Sequence, residues 1–162
     1  MKYFAYGSNL NSQDLSCWCK KKMRKLPELH FLTPAYLDGY ELAFTRESDS
    51  RKGGVADIRG SHDIVEGGLF EISEKGRDLL RAKEGYPKAY QEIPVEVRLP
   101  NGSRIPALTY QVISPSSRHI APSPAYLQVI IEGAKERGLS ESWVDRLKTI
   151  PTNKRVGPAS FC

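Results

Sequence analysis

Three stretches of this 162-residue chain combine residue types that can do chemistry. The first is Tyr6-Gly7-Ser8-Asn9-Leu10. Gly7 lets the backbone turn where a Cβ would clash. Successive N–H groups in such a turn can converge into a nest for a carboxylate or an oxyanion. Asn9 adds a neutral amide that both donates and accepts. The second stretch is Glu84-Gly85-Tyr86-Pro87, a carboxylate with Leu79, Leu80, Ala82 and Tyr86 around it. It stands at a helix end, where the helix dipole disfavours negative charge. The third, Ala121-Pro122-Ser123-Pro124-Ala125-Tyr126, puts a tyrosine in a first helical turn, where its ring can face a pocket. Each has a plainer explanation: a glycine turn after a strand, an exposed helix-end glutamate, a core aromatic. Their weight lies in occurring together.

The elements that must position these residues follow from periodicity and punctuation. Lys2 to Tyr6 alternates as a strand and runs into the glycine turn, after which Asn11 or Ser12 caps a helix to about Cys19. Ala35–Leu37 and Tyr40–Phe44 read as strand pieces around Asp38-Gly39, and Arg46 to Lys52 as a charged loop. Gly53-Gly54 opens a strand over Val55–Ile58, Gly60-Ser61-His62-Asp63 turns the chain, and Val65–Ile72 is the next strand. Ser73 caps a helix to about Lys83. Tyr90–Leu99 and Ile105–Ile113 pair across the hairpin signal Asn101-Gly102. Ser123 as cap and Pro124 at the first helical position start a helix that Gly138 ends. Ser140 caps a last helix, with Trp143, Val144, Leu147 and Ile150 on one face. Short, mostly antiparallel strands with helices between them predict an α+β domain, a small mixed β-barrel with flanking helices. Residues 1–150 form that single domain, and 151–162 a loose C-terminal tail.

Composition sets bounds on this reading. The chain is 40% hydrophobic and 27% charged, ordinary for one globular domain with its own core. The formal charge is +5, much of it in Lys20, Lys21, Lys22, Arg24 and Lys25. With few interleaved aromatics, that run reads as a solvated helix end rather than a nucleic-acid surface. Cys17, Cys19 and His30 match no common zinc spacing, so Cys17, Cys19 and Cys162 are expected as thiols in a reducing compartment. The N-terminal apolar stretch is too short for a signal peptide and no stretch is long enough to span a bilayer, which makes cytoplasm the default. There is no GxGxxG and no GxxxxGK[ST]. His30, His62 and His119 carry no flanking catalytic motif.

Taken together, the blocks resemble a known family. Tyr3-Phe4-Ala5-Tyr6-Gly7-Ser8-Asn9-Leu10 is similar to the N-terminal signature of the γ-glutamyl cyclotransferases (AIG2-like proteins). Gly53-Gly54-Val55-Ala56, Glu84-Gly85 and Ala121 to Lys148 resemble later blocks in the same order. Much of 11–52 is unlike the family. The resemblance implies a barrel with a cavity near the first loop, and conversion of a γ-glutamyl amide to 5-oxoproline with release of an amine. It implies no metal and no organic cofactor; the partner is a small-molecule γ-glutamyl substrate, with no nucleic acid and no membrane. It maps the general acid/base to Glu84, the substrate-holding loop to Tyr3, Phe4, Ala5, Tyr6, Gly7, Ser8 and Asn9, and a pocket tyrosine to Tyr126. A γ-glutamyl amino acid is the expected substrate. Glu84-Gly85-Tyr86-Pro87 followed by Tyr90 is also similar to the branch acting on γ-glutamylamines, and a third branch deprotects an antibiotic intermediate. A small-ligand binding module without turnover is the alternative of a different class.

The implied reaction is intramolecular, so alignment alone is worth on the order of 7–11 kcal/mol. It also needs a base for the substrate ammonium. Carboxylates and amines differ by about 5 kcal/mol in proton affinity in water, a gap that withdrawal from water narrows. Glu84 is therefore expected to be buried, with its carboxyl near Gly7. The Gly7-Ser8-Asn9 turn then receives the oxyanion or holds the α-carboxylate, with Tyr126, Tyr90 and Tyr110 as further hydrogen-bonding groups.

Overall fold

A computed structural model describes residues 1–26 and 29–156. In chain order it contains β1 (Lys2–Ala5), α1 (Ser12–Lys21), β2 (Leu29–Ser48), β3 (Gly53–Ile72), α2 (Glu74–Glu84), β4 (Tyr90–Arg98), β5 (Arg104–Val112), α3 (Pro124–Glu136) and α4 (Glu141–Lys148). A single 3-10 turn, Ser8–Leu10, follows β1. The strands close into a barrel in the order β1-β3-β2-β4-β5. All pairings are antiparallel except β1 with β5, which meet in parallel at Tyr3 and Leu108. Closure is made by two single residue pairs, Tyr3 with Leu108 and Tyr36 with Arg98. This is the α+β barrel with flanking helices that the sequence predicts.

Inward side chains such as Phe4, Leu37, Ile58, Val65 and Val97 fill the core, which continues onto Leu127 and Ile130 of α3. A smaller cluster of Leu15, Trp18, Cys19 and Leu79 packs α1 against α2. The helix starts follow from local chemistry. Asn11, Ser73, Ser123 and Ser140 each accept a backbone N–H with the side-chain oxygen, satisfying a donor that has no partner within the helix.

The β2–β3 pair departs from expectation. Each is one continuous strand of 20 residues, so the predicted turn at Gly60–Asp63 and the break at Asp38-Gly39 are both absent. Pairing over the full length overrides the local turn signals; they appear instead as register shifts, one between Asp38 and Tyr40 opposite Gly60. The expected Arg46–Lys52 loop shrinks because β2 continues to Ser48.

Gly54 marks a close approach. A Cβ there would lie 1.8 Å from the Ile120 carbonyl oxygen, and its N–H donates to the Ala121 carbonyl at 3.0 Å. The segment leading into α3 is thereby laid flat on β3. Beyond α4, Asn153 donates its amide N–H to the Pro122 carbonyl and its side chain to those of Lys52 and Ala121. Of the cysteines expected as thiols, Cys19 is a buried free thiol and Cys17 is disulfide-bonded, contrary to that expectation. Cys162 lies outside the described residues. Lys20, Lys21, Lys22, Arg24 and Lys25 are exposed at and beyond the end of α1, where the helix dipole favours positive charge. Among the described residues no helix is long and apolar enough to cross a membrane.

Candidate active site

β1, β4, β5, α2 and α3 converge at one end of the barrel. There a recess of about 30 Å³ is lined by Tyr3, Tyr6, Asn9, Glu84, Tyr90 and Tyr126, with Gly7, Ser8, Ala56 and Tyr110 completing its wall. It opens onto an outer cavity of about 520 Å³, and the two share Ser8, Glu84, Tyr90 and Tyr126. Of the residues singled out from sequence, Tyr3, Tyr6, Gly7, Ser8, Asn9, Glu84 and Tyr126 come together here. Phe4 and Ala5 do not line the recess; both are wholly buried in the core. Strand alternation turns Phe4 away from Tyr3.

Glu84 is the last residue of α2, which Gly85 ends in the left-handed region at φ 67°. Two restraints hold that helix end. Arg77 and Arg81 of α2 both pair with Glu92 on β4, and Tyr110 donates to the same carboxylate at 3.2 Å. Burial pushes Glu92 up, but the hydrogen bonds from Arg77 and Arg81 outweigh it and hold the carboxyl down at about 2. On the other side, Glu84 is half-buried and its Oε1 accepts from Asn9 Nδ2 at 2.7 Å. The same amide donates to the Tyr3 hydroxyl at 2.9 Å. Among the described residues Glu84 Oε2 has no donor.

Hydrogen-bond direction divides the tyrosines. Tyr6 donates to the Tyr110 carbonyl at 2.6 Å, and Tyr90 to the Ala56 carbonyl at 2.8 Å. Their hydroxyl hydrogens are committed. Tyr126 instead accepts from the Ala56 N–H at 3.2 Å, and Tyr3 accepts from Asn9. Among the described residues, neither of these hydroxyl hydrogens has an acceptor. Burial pushes the hydroxyls of Tyr3, Tyr6 and Tyr90 well above the ordinary phenol value. Burial also pushes Tyr126 up, to about 12, against the pull of Arg51 over its ring. All four therefore stay protonated at neutral pH, two of them as ready donors.

The outer cavity is built differently. Lys22, Arg46, Arg51 and Lys83 contribute positive charge to its lining, and Glu47, Asp49 and Glu84 negative charge, with Glu47 paired to Arg155. Arg51 is buried and grips Asp14 of α1 through two bonds of 2.8 and 2.7 Å. Lys83 is buried too; it donates to Asn9 Oδ1 at 2.7 Å and Ser8 Oγ at 3.2 Å. Burial lowers its ammonium, while Glu84 and Asp14 pull the other way. Arg46 is exposed and makes no ion pair among the described residues. Sequence reasoning missed Asp14, Arg51 and Lys83. Only Lys83 carried a signal, its adjacency to Glu84; a buried pair 37 residues apart leaves none.

Comparison with known proteins shows the family. The sequence model of the AIG2-like family matches residues 64–147, which include Glu84 and Tyr126. The chain is 32% identical over 164 residues to the γ-glutamylcyclotransferase of Bos taurus, covering 98% of this chain and 82% of that protein. It is 30% identical to the γ-glutamylcyclotransferase of Homo sapiens with the same coverage. A solved structure of a γ-glutamyl cyclotransferase superposes with a TM-score of 0.85 at 30% identity, covering 99% of this chain and 93% of that one. With a family match over more than half its length and these relatives over nearly all of it, the chain belongs to the AIG2-like family, among the γ-glutamylcyclotransferases.

Proposed function

We propose that this enzyme cyclises γ-glutamyl amino acids to 5-oxoproline, with Glu84 as the general acid/base. The observation that carries the reading is the meeting of a half-buried carboxyl, held by Asn9, with two uncommitted tyrosine donors in one recess. The recess takes one polar end of the glutamyl group, and the outer cavity takes the leaving amine.

In the reaction, Glu84 Oε2 removes a proton from the substrate's α-ammonium. The freed nitrogen attacks the γ-carbonyl carbon, forming the ring C–N bond and placing negative charge on the old carbonyl oxygen. Glu84 then returns its proton to the amide nitrogen as the original C–N bond breaks. The regenerated carboxylate takes the second proton from the ring nitrogen and passes it to the departing amine, so the products are 5-oxoproline and an ammonium. One carboxyl serves both steps. Tyr3 and Tyr126 supply the two O–H donors, and the N–H groups of the Gly7-Ser8-Asn9 turn add backbone donors to the same wall. Losing one donor to such an oxygen typically costs on the order of 10²–10³ in rate.

The leaving amine is read from the cavity. Arg46 and Lys22 suit a carboxylate on the departing group, which an amino acid carries and a simple amine lacks. The same reading puts the protein in the cytoplasm, acting on a small molecule and not on nucleic acid.

The test is to supply γ-glutamyl-alanine, γ-glutamyl-ε-lysine, a γ-glutamyl alkylamine and glutathione, and to quantify 5-oxoproline. Release from γ-glutamyl-alanine above the others supports the proposal. Preference for the alkylamine overturns the substrate class, and glutamate in place of 5-oxoproline overturns the cyclisation.

A further inference from the structure

Asn9 has one acceptor and two donor positions, and all are engaged: Oδ1 with Lys83 Nζ, Nδ2 with Glu84 Oε1 and the Tyr3 hydroxyl. An ammonium has three donors and no acceptor. The oxygen of the amide must therefore face Lys83, and its NH₂ must face Glu84. The opposite orientation would set donor against donor at Lys83 and acceptor against acceptor at Glu84. Lys83 itself has little freedom. Its side chain is 6% exposed, and Nζ sits between Ser8 Oγ, Asn9 Oδ1 and Asp14 Oδ2, the last at 3.8 Å. Asp14 is in turn fixed by both terminal nitrogens of Arg51.

This matters at the midpoint of the reaction. Once Glu84 has taken the substrate proton, it becomes a donor. An Asn9 amide free to turn would present its oxygen to that proton and hold it, delaying transfer to the leaving amine. An amide pinned by Lys83 cannot do so. It donates to Oε1 in both protonation states, and the proton stays on Oε2.

We propose that Lys83 is a positioning residue, which pins the Asn9 amide so that Glu84 carries its mobile proton on Oε2 and releases it. The inference rests on the reading of Glu84 as the base. It gives a buried cation beside the site a task without contact with the reacting atoms.

The test is a double-mutant cycle on the full chain with γ-glutamyl-alanine. Lys83→Met is expected to lower kcat about tenfold or more with KM changed less than about twofold, and Lys83→Arg to recover most of that loss. In an Asn9→Ala background, where there is no amide to pin, Lys83→Met should change kcat by less than about twofold. Equal effects of Lys83→Met in both backgrounds overturn the proposal, as does a change confined to KM. Thermal unfolding of each variant checks the fold. If Lys83→Met does not fold, Lys83→Gln replaces it in the same cycle with the same two outcomes. Glu84→Gln assayed in parallel separates the two readings. Full activity there removes the base itself; an inactive Glu84→Gln with additive Lys83 and Asn9 effects removes only the role of Lys83.

Discussion

The recess and the outer cavity meet along four shared residues, Ser8, Glu84, Tyr90 and Tyr126, yet they are made of different chemistry. The recess is small and walled by neutral hydroxyls and an amide, with Glu84 as the one carboxyl group in its lining. The cavity is some seventeen times larger by the volumes of about 520 and 30 Å³, and its charges are numerous and partly solvated. Neutral donors in a confined space can stabilise a charge that appears only during reaction, because they need not be desolvated again at that moment. Solvated cations at a mouth attract and orient a charge that the substrate already has, which improves binding more than turnover. The division teaches that chemistry and choice of leaving group are separable here, and that substitutions in each should move different kinetic constants.

The largest blow to that division should come from Glu84→Gln. Glutamine keeps the shape and an acceptor for Asn9 but carries no mobile proton, so kcat is expected to fall by on the order of 10³-fold with the thermal midpoint little changed. Next comes a matched pair in the recess. Tyr126→Phe removes an uncommitted donor and should lower kcat by about 10²-fold. Tyr90→Phe instead strands the Ala56 carbonyl, and should cost about 1–3 kcal/mol of stability with a smaller effect on kcat. Equal kinetic effects from the two would erase the distinction between committed and uncommitted hydroxyls. Arg46→Ala tests the other region. It should raise KM for γ-glutamyl-alanine about tenfold, leaving kcat and the KM of an uncharged γ-glutamylamine nearly as they were.

The smallest effect concerns the support for the recess wall. Glu92 is held at about 2 in the folded protein, below its ordinary value of 4.5. Its contribution to stability is therefore full above pH 4.5, and is lost as pH falls from there toward 2. Thermal unfolding followed across that window should show a steeper decline for the natural chain than for Glu92→Gln. Parallel declines would mean that the Arg77–Glu92–Arg81 cluster does not anchor α2.

What the sequence made legible was what local chemistry decides. Ser73, Ser123 and Ser140 announce helix starts because a cap satisfies donors only three residues away. Tyr6-Gly7-Ser8-Asn9 announces a turn because Gly7 permits one. Gly60-Ser61-His62-Asp63 carries the same kind of signal and misleads, because β2 pairs with β3 straight through it. The seat of Lys83 was illegible for a related reason. Asp14, Arg51 and Lys83 come from α1, the β2–β3 turn and α2, and each looks alone like a surface charge. The committed and uncommitted tyrosines were equally hidden, since that depends on which carbonyl or amide faces each hydroxyl.

The parallel contact of β1 with β5 has a kinetic consequence. Tyr3 meets Leu108 across more than a hundred residues, whereas β2 with β3 and β4 with β5 are neighbours joined by short turns. Joining ends that far apart carries a larger loss of chain entropy than forming a hairpin, and such non-local pairings are slow to form. The two hairpins can therefore form early, and sealing by β1 is a late step. Tyr3 lies in β1, and the Gly7–Asn9 turn hangs directly from its end. The step that seals the barrel is thus the step that delivers donors to Glu84, and a chain paused before it holds an acid without its partners. Folding and the onset of activity should then follow one time course, with no half-assembled species able to turn over.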